Sequence, residues 1–434
     1  MPVMRWAEEY FEFAILGTTW KTEFLAGITT FMTMAYIIFV NPSILHEAGM
    51  PIAGVTAATC LAAALGSILM GAFARYPIAL APGMGLNAYF TYSVVKGMHV
   101  DWRVALGAVF LSGIAFLILT AVGVRQMIVA AIPAELYSAV AAGVGLFIAL
   151  IGFRNAGIIV PNASTTVALG DLHNPATLLA LFGLLVMAVL LGAGFKSAML
   201  IGVVASWGLA IVTGTTHWQP QPYNFRDITS TAMQLDIRGA VGLGFLEIIF
   251  VFLFVDLFDN VGTLLAVGKK AGLFEGAAGV PRINRILYSD AIATVAGSMA
   301  GTSTVVSYIE STAGVAVGGR SGVTAIVTGL LFGIALFVAP LAGAIPSSAT
   351  APALIVVGSM MMTAVAEIAW TDPEISIPAF LTMTAIPLTY SIANGLAFGF
   401  CAYTLIKIFR GRFRQVSWTV YALTALFLLR FYWI

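Results

Sequence analysis

The stretch Phe250-Val-Phe-Leu-Phe-Val-Asp-Leu-Phe-Asp-Asn-Val-Gly-Thr-Leu-Leu265 lies in an apolar run at 240–267. That run is long enough to cross a hydrocarbon layer about 30 Å thick with some tilt. Near its middle stand Asp256 and Asp259. Three residues apart, they share one helix face, with Asn260 beside them. A carboxylate at membrane depth costs at least about 2.5 kcal/mol, so the pair does not point at lipid. The two acids must line a polar cavity or meet partners on other helices. A single buried acid is often structural, but two beside Asn260 and Gly262 mark a functional face.

The rest of the chain repeats the apolar theme. Of 434 residues, 60% are hydrophobic and 9% charged; a soluble domain carries about 25% charged residues. The expected class is an all-α polytopic membrane protein with no soluble domain and no nucleic-acid partner. Residues 6–13 read as a short interfacial helix ahead of the first span, and no signal peptide is expected. Cys60 and Cys401 fall in apolar runs and read as buried thiols.

Fourteen apolar segments can be counted, at 24–45, 54–74, 78–96, 103–124, 133–152, 175–194, 197–213, 240–267, 284–300, 302–318, 321–343, 350–366, 375–391 and 393–409. They are called segments 1 to 14 below. With the N-terminus cytoplasmic, Arg5, Lys21, Arg75, Arg125, Lys196, Lys269, Lys270, Arg282, Arg285, Arg320, Lys407, Arg410, Arg412 and Arg414 fall inside. Lys96, Arg103, Arg154, Arg226 and Arg238 fall outside. This is the positive-inside bias of a multi-pass protein of the cell (inner or plasma) membrane. The inner loop near 366–374 lacks positive charge and fits least well. The tail 410–434 carries one more apolar run, read as a helix at the inner interface or packed on the bundle. All four histidines, His46, His99, His173 and His217, fall in outer loops, so a proton crossing at midplane must use carboxylates.

The outer loop at 213–236 divides the segments into two sevens, and the two sevens resemble each other. Gly66-Ser67 in segment 2 is matched with Gly297-Ser298 in segment 9. Segment 3 reads Pro77-Ile-Ala-Leu-Ala-Pro-Gly-Met-Gly-Leu-Asn-Ala-Tyr-Phe90, and segment 10 reads Gly301-Thr-Ser-Thr-Val-Val-Ser-Tyr-Ile-Glu-Ser-Thr-Ala-Gly314. Each is expected to start as a short strand and turn to helix after a breaker, Pro82-Gly83 or Ser307. Seven is odd, so the halves insert with opposite orientation. Matched broken segments in inverted repeats point to a midplane binding site, although glycines there also permit close helix packing.

The starts of the two helices, near Gly83–Gly85 and Tyr308–Glu310, expose backbone donors. Asp256, Asp259 and Glu310 supply acceptors, and Asn87 supplies both. A flat ring with donors and acceptors on opposite edges fits that inventory. Tyr36, Tyr89, Phe90, Phe258 and Tyr308 are available to stack on it, though core packing is the commoner use of each. Glu23 and Glu367 fall at inner ends and read as interfacial. No nucleophile–base pair or metal-ligand cluster lies at depth, so neither an enzyme nor a cofactor is expected.

Four stretches carry a family likeness: Met32-Thr-Met-Ala-Tyr-Ile-Ile-Phe-Val-Asn-Pro42, Ala81-Pro-Gly-Met-Gly-Leu-Asn-Ala-Tyr-Phe90, Val255-Asp-Leu-Phe-Asp-Asn-Val-Gly-Thr263 and Gly301-Thr-Ser-Thr-Val-Val-Ser-Tyr-Ile-Glu-Ser311. Through them the chain resembles the nucleobase–cation symporter-2 family, in its adenine/guanine/hypoxanthine permease (AzgA-like) branch. The resemblance implies a core domain at 24–124 and 240–343 and a gate domain at 133–213 and 350–409. The strands of segments 3 and 10 would cross at midmembrane, with substrate held between core and gate. It implies proton-coupled uptake of hypoxanthine, guanine or adenine by an elevator-like movement, and a homodimer. By motif match Asp256 and Glu310 would grip the purine and Asn87 and Asp259 hold positions important for transport, while the reading of the residues adds Gly85, Tyr308, Phe258 and Tyr36 around the base. Asp259 and Glu310 would carry the proton. Asn260 and Glu310-Ser311 stand where the uracil and xanthine branches have other residues, so those substrates are the alternative, as is an anion carrier on the same fold.

The topology makes a direct prediction. In a background lacking Cys60 and Cys401, a cysteine at Thr216 should react with a membrane-impermeant thiol reagent on intact cells. One at Gly276 should not, and the reverse pattern would invert the orientation.

Overall fold

The computed structural model describes residues 2–124, 132–216, 224–242, 245–272 and 282–433. Arg125, His217, Trp218 and Gly276 lie outside the described residues, as do parts of the loops expected at 213–236 and between segments 8 and 9. Among the described residues, seven helices are long and apolar enough to span a membrane: Trp20–His46, Ile52–Ala74, Trp102–Ala121, Ala134–Asn155, Pro175–Gly192, Ser347–Glu367 and Ile392–Phe409. Ala198–Val212 and Gly322–Ala335 are shorter apolar helices. Phe245–Lys270 carries the acidic face of segment 8 in 26 residues. The chain is an integral membrane protein.

Segment 3 and segment 10 are broken. Strand β1 (Leu80–Pro82) leads into the helix Met84–Ala88. A second hairpin, β2 (Ile159–Asn162) with β3 (Thr166–Leu169), forms in the loop after segment 5. It was not foreseen. Its turn is built by Asn162, whose Oδ1 accepts from Ser164 N and Thr165 N at 2.8 and 3.1 Å. Strand β4 (Val305–Ser307) leads into Ser311–Ala316.

β1 pairs antiparallel with β4, in the register Leu80↔Ser307, Ala81↔Val306 and Pro82↔Val305. Short strands inside a membrane protein must satisfy every backbone group internally, and side chains from neighbouring helices complete the task. Ser67 Oγ accepts from Leu80 N at 2.9 Å and lies 3.0 Å from Leu80 O. Thr294 Oγ1 treats Val305 in the same way, at 3.2 and 3.1 Å. Gly83 N donates to Thr304 O at 2.9 Å, and Tyr308 N to Ala79 O at 3.0 Å. These contacts match in pairs, so the crossing has a local two-fold. They also correct the matching of segments 2 and 9. The counterpart of Ser67 is Thr294, one turn before the Ser298 chosen from the Gly-Ser identity, and Ser298 Oγ instead donates to Val295 O.

Helices elsewhere approach through small residues, as lipid-embedded bundles do. Gly145 of segment 5 faces Gly358 of segment 12, and a Cβ on Gly358 would collide with the Gly145 carbonyl. The final helix, Trp418–Trp433, packs on segment 14 through a Thr404–Thr424 hydroxyl pair at 2.8 Å and a Phe400–Phe427 ring contact at 5.8 Å.

Two acids at the ends of their segments depart from the expectation or complete it. Glu23 is not interfacial; it is fully buried. Its carboxylate accepts from Arg320 N (2.9 Å), Ser321 N (3.1 Å), Thr324 N (3.2 Å), Thr324 Oγ1 (2.5 Å) and Thr18 Oγ1 (2.7 Å). It thereby holds the free donors at the start of Gly322–Ala335, where a negative charge also suits the helix dipole. The loop near 366–374, poor in positive charge, ends at Glu374. Lys407 (2.6 Å), Arg410 (2.9 Å) and Arg412 (2.9 Å) gather on that buried carboxylate from the end of segment 14. The missing positive charge of the loop is supplied from there.

Glu23→Ala should lower unfolding stability on the order of 3 kcal/mol, since a charge-assisted acceptor for several buried donors is lost. Glu23→Gln, which keeps one acceptor oxygen, should lose less. Thermal unfolding of purified protein measures both; an unchanged midpoint for Glu23→Ala would refute the capping role.

Candidate functional site

The acids of segment 8 reach the strand crossing through one amide. Asn260 Nδ2 donates to Asp256 Oδ1 at 2.6 Å and to Asp290 Oδ1 at 2.5 Å, and Asn260 Oδ1 accepts from Ser307 N of β4 at 2.7 Å. Both amide hydrogens and the carbonyl are thus used. Asp256 and Asp290 are buried, and Asp259 is half-buried. Glu310 and Asp290 both act electrostatically on Asp259.

Glu310 follows β4 directly, at the residue before Ser311–Ala316. Its Oε1 accepts from Tyr36 OH at 2.8 Å. Tyr36 sits at the break in segment 1 between Trp20–Met34 and Ile37–His46. Pro42 cannot donate to the Ile38 carbonyl, and upstream the helix tightens, with Phe39 N donating to Tyr36 O at 3.1 Å. Tyr308 OH donates to the Pro82 carbonyl, tying the end of β4 to the end of β1.

The remaining expected site residues serve different surroundings. Asn87 Nδ2 donates to Asn41 Oδ1 at 2.5 Å, and Asn87 Oδ1 accepts from Ser303 Oγ. Asn41 in turn donates to Thr59 Oγ1 (2.7 Å) and Thr302 Oγ1 (3.1 Å). This network joins segments 1, 2, 3 and 10. Gly85 lies against segment 5, where a Cβ would collide with Val144. Phe258 packs on Tyr137 of segment 5 (4.7 Å between centroids) and Phe400 of segment 14 (6.2 Å). Tyr36, Glu310, Tyr308, Asp256 and Asp259 therefore collect about the crossing, while Gly85 and Phe258 meet the helices opposite it.

Asp290, Asn41 and Ser303 were missed. Asp290 had a usable signal, because it is a lone carboxylate in the apolar run at 284–300 and the cost of burial applies to it as to Asp256. Asn41 had only its place in the Met32–Pro42 stretch.

A Permease family model matches residues 21–398. A putative permease of Methanocaldococcus jannaschii, MJ0326, is 50% identical over 99% of each chain. The adenine permease AdeP of Escherichia coli is 44% identical, over 98% of this chain and 95% of its own. The guanine/hypoxanthine permease PbuG of Bacillus subtilis is 43% identical, over 97% and 98%. The chain belongs to the nucleobase–cation symporter-2 permeases. It is thus a transport protein of a nucleobase permease family. Among solved structures, the transmembrane domain of a cyanobacterial bicarbonate transporter, BicA, superposes with a TM-score of 0.62 at 15% identity, over 87% of this permease and 97% of that chain. At that identity the likeness is one of fold alone.

The amide bridge is testable by a double change. Asn260→Leu removes the donor shared by Asp256 and Asp290 and the acceptor for Ser307 N, so the unfolding midpoint should fall. Adding Asp290→Asn returns a donor and should recover part of the loss, a coupling of about 1 kcal/mol or more. Strictly additive losses would show that the two acids do not depend on Asn260 together.

Proposed function

We propose that this permease imports purine nucleobases (hypoxanthine, guanine or adenine), each driven by an inward proton. The observation that carries the reading is the meeting of Glu310, Asp256 and Asp259 at the β1–β4 crossing. Two acids accept N–H groups from the base, and a third takes the proton. The names of the relatives AdeP and PbuG support purine as the substrate class. The stretches 77–90 and 301–314 contain no Lys or Arg, which speaks against an anion as cargo.

In this reading the fourteen segments form two inverted repeats. Segments 1–4 and 8–11 make a core and segments 5–7 and 12–14 a gate, with the N-terminus inside. Glu310 is aimed by the Tyr36 hydroxyl, and Asp256 by the Asn260 amide. Asp259 is taken as the proton carrier because it shares the segment 8 face with Asp256, close enough for two ionised carboxylates to repel. The base binds when Asp259 is protonated. The core then slides against the gate, and the proton leaves inside with the base. A proton moving inward gains about 2.3 kcal/mol per 100 mV. Since about 1.4 kcal/mol is tenfold in concentration, this suffices for more than tenfold accumulation of a neutral base.

Uptake of labelled purines by a strain lacking its own purine transport tests the substrate class. Asp256→Ala and Glu310→Ala should weaken binding about tenfold or more, since each removes a charged hydrogen-bond partner worth ~1.5–3 kcal/mol. Asp259→Asn should still bind and exchange purine across reconstituted vesicles, yet lose accumulation driven by a pH gradient. Normal accumulation by this variant would remove Asp259 from the proton path, and Glu310→Gln is the control for the other carrier.

A further inference from the structure

Three polar contacts seen among the described residues join the proposed core to the proposed gate, and they lie at the outer ends of their segments. Ser93 Oγ donates to Tyr390 O at 2.5 Å. The Ser43 and Thr350 hydroxyls are 3.2 Å apart. The third contact is a built cluster. Glu47 Oε1 accepts from Tyr92 OH at 2.8 Å and from Asn155 Nδ2 at 2.8 Å, and Asn155 Nδ2 also lies 3.1 Å from Tyr92 OH. Glu47 Oε2 pairs with Lys96 Nζ at 2.6 Å, and that ammonium sits 5.1 Å from the centre of the Tyr92 ring.

We propose that Glu47, Tyr92, Lys96 and Asn155 are the latch that holds the outer mouth of the purine path shut. The proposal rests on the core and gate assignment above. Glu47, Tyr92 and Lys96 come from segments 1 and 3 and stay assembled on one body. Asn155, at the end of segment 5, is the member contributed by the other body. Opening the cluster therefore breaks hydrogen bonds to a neutral amide and leaves the Glu47–Lys96 pair intact. The Glu47–Lys96 pair is not separated, and Arg154, the cation of the other body that acts electrostatically on Tyr92, makes no ion pair with Glu47 among the described residues, so the latch can open and close in every cycle. A salt bridge across the boundary would not have this property, because separating its partners would leave each charge without its counterion.

The latch also stands at an entrance. A cavity of about 390 Å³ is lined by Phe39, Ser43, His46, Glu47, Asn155 and Ser347 among others. Phe39 is one helical turn beyond Tyr36, on the same face of segment 1, and Tyr36 holds Glu310. Releasing Asn155 would thus extend the hollow toward the acids. The carboxylate that the latch occupies is an acceptor of the kind a purine N–H seeks, so an arriving base competes with Asn155 for Glu47.

The test uses full-length protein lacking Cys60 and Cys401. First, Ser43→Cys with Thr350→Cys should form a disulfide on oxidation, stop purine uptake, and recover with reductant. A formed disulfide that leaves uptake unchanged would overturn the core and gate reading itself. Second, the single Ser43→Cys protein reports opening through its labelling rate with a membrane-impermeant maleimide on intact cells. Asn155→Ala should raise that rate about tenfold, the shift expected for one hydrogen bond to a charged acceptor. Asn155→Asp, which sets a carboxylate against Glu47, should raise it further. Lys96→Met, which alters only the core side, should raise it less than Asn155→Ala. Unchanged labelling in both Asn155 variants, with the disulfide still blocking uptake, would overturn the latch and leave the core and gate reading standing.

Discussion

The constraint beneath this structure is that backbone N–H and C=O groups at membrane depth need partners inside the protein. Two three-residue strands satisfy this by crossing each other, and they would be inadequate alone. β1 and β4 are completed by Ser67 and Thr294 from the helices behind them, by Asn260 on Ser307 N, and by the Tyr308 hydroxyl on Pro82. Pro82 is tolerable because it needs no donor partner. A break in two helices is thus held open by hydroxyls and one amide. The break places Glu310, held by the Tyr36 hydroxyl, beside the crossing.

The same side chains manage charge. Buried acids need donors, and here the donors are shared. Asn260 serves Asp256, Asp290 and the strand at once, so the geometry of the acids is tied to the geometry of the crossing. Tyr36 does the same for Glu310 from segment 1. A change at any of these groups moves both the fold and the site. Acids at segment ends have the opposite task. Glu23 and Glu374 collect donors or cations to seal helix ends, and take no part in the acidic centre.

Much of this was legible beforehand because hydrocarbon makes local demands. Apolar runs of about 20 residues declare helices, Pro82-Gly83 declares a break, and Asp256 beside Asp259 declares a polar face. What escaped was set by distant pairing. Glu23 is 297 residues from the Arg320 amide it caps, and nothing around position 23 reveals that partner. Ser298 was matched to Ser67 by a two-residue identity, while the strand contact chooses Thr294. Asn87 was read as a ligand group, yet much of its capacity goes to Asn41 and Ser303, whose positions only the crossing brings together. Asp290 was legible by the same rule, because a single acid in an apolar run obeys the same energetics as two.

The distribution of these interactions follows from what a moving transporter requires. Bonds within a body should be strong and over-determined, and bonds between bodies should be few and replaceable by water or ligand. On the core and gate reading, the charged and multiply bonded groups, Glu23, Asn260 and Glu374, each act within one body. Among the described residues, the polar contacts between bodies are hydroxyls, a backbone carbonyl and the Asn155 amide on Glu47, a carboxylate whose charge is balanced by Lys96 on its own body, together with aromatic packing such as Phe258 on Tyr137 and Phe400. Apolar contacts of this kind are non-directional, so they can be traded for similar ones as the surfaces slide. Gly85, which lets segment 3 approach Val144 closely, keeps that surface smooth. Close packing through Gly145 and Gly358, by contrast, interlocks segments 5 and 12, both of them in the gate. On that reading, rigid bodies with a slippery seam between them would follow from where glycine, amide and carboxylate have been placed.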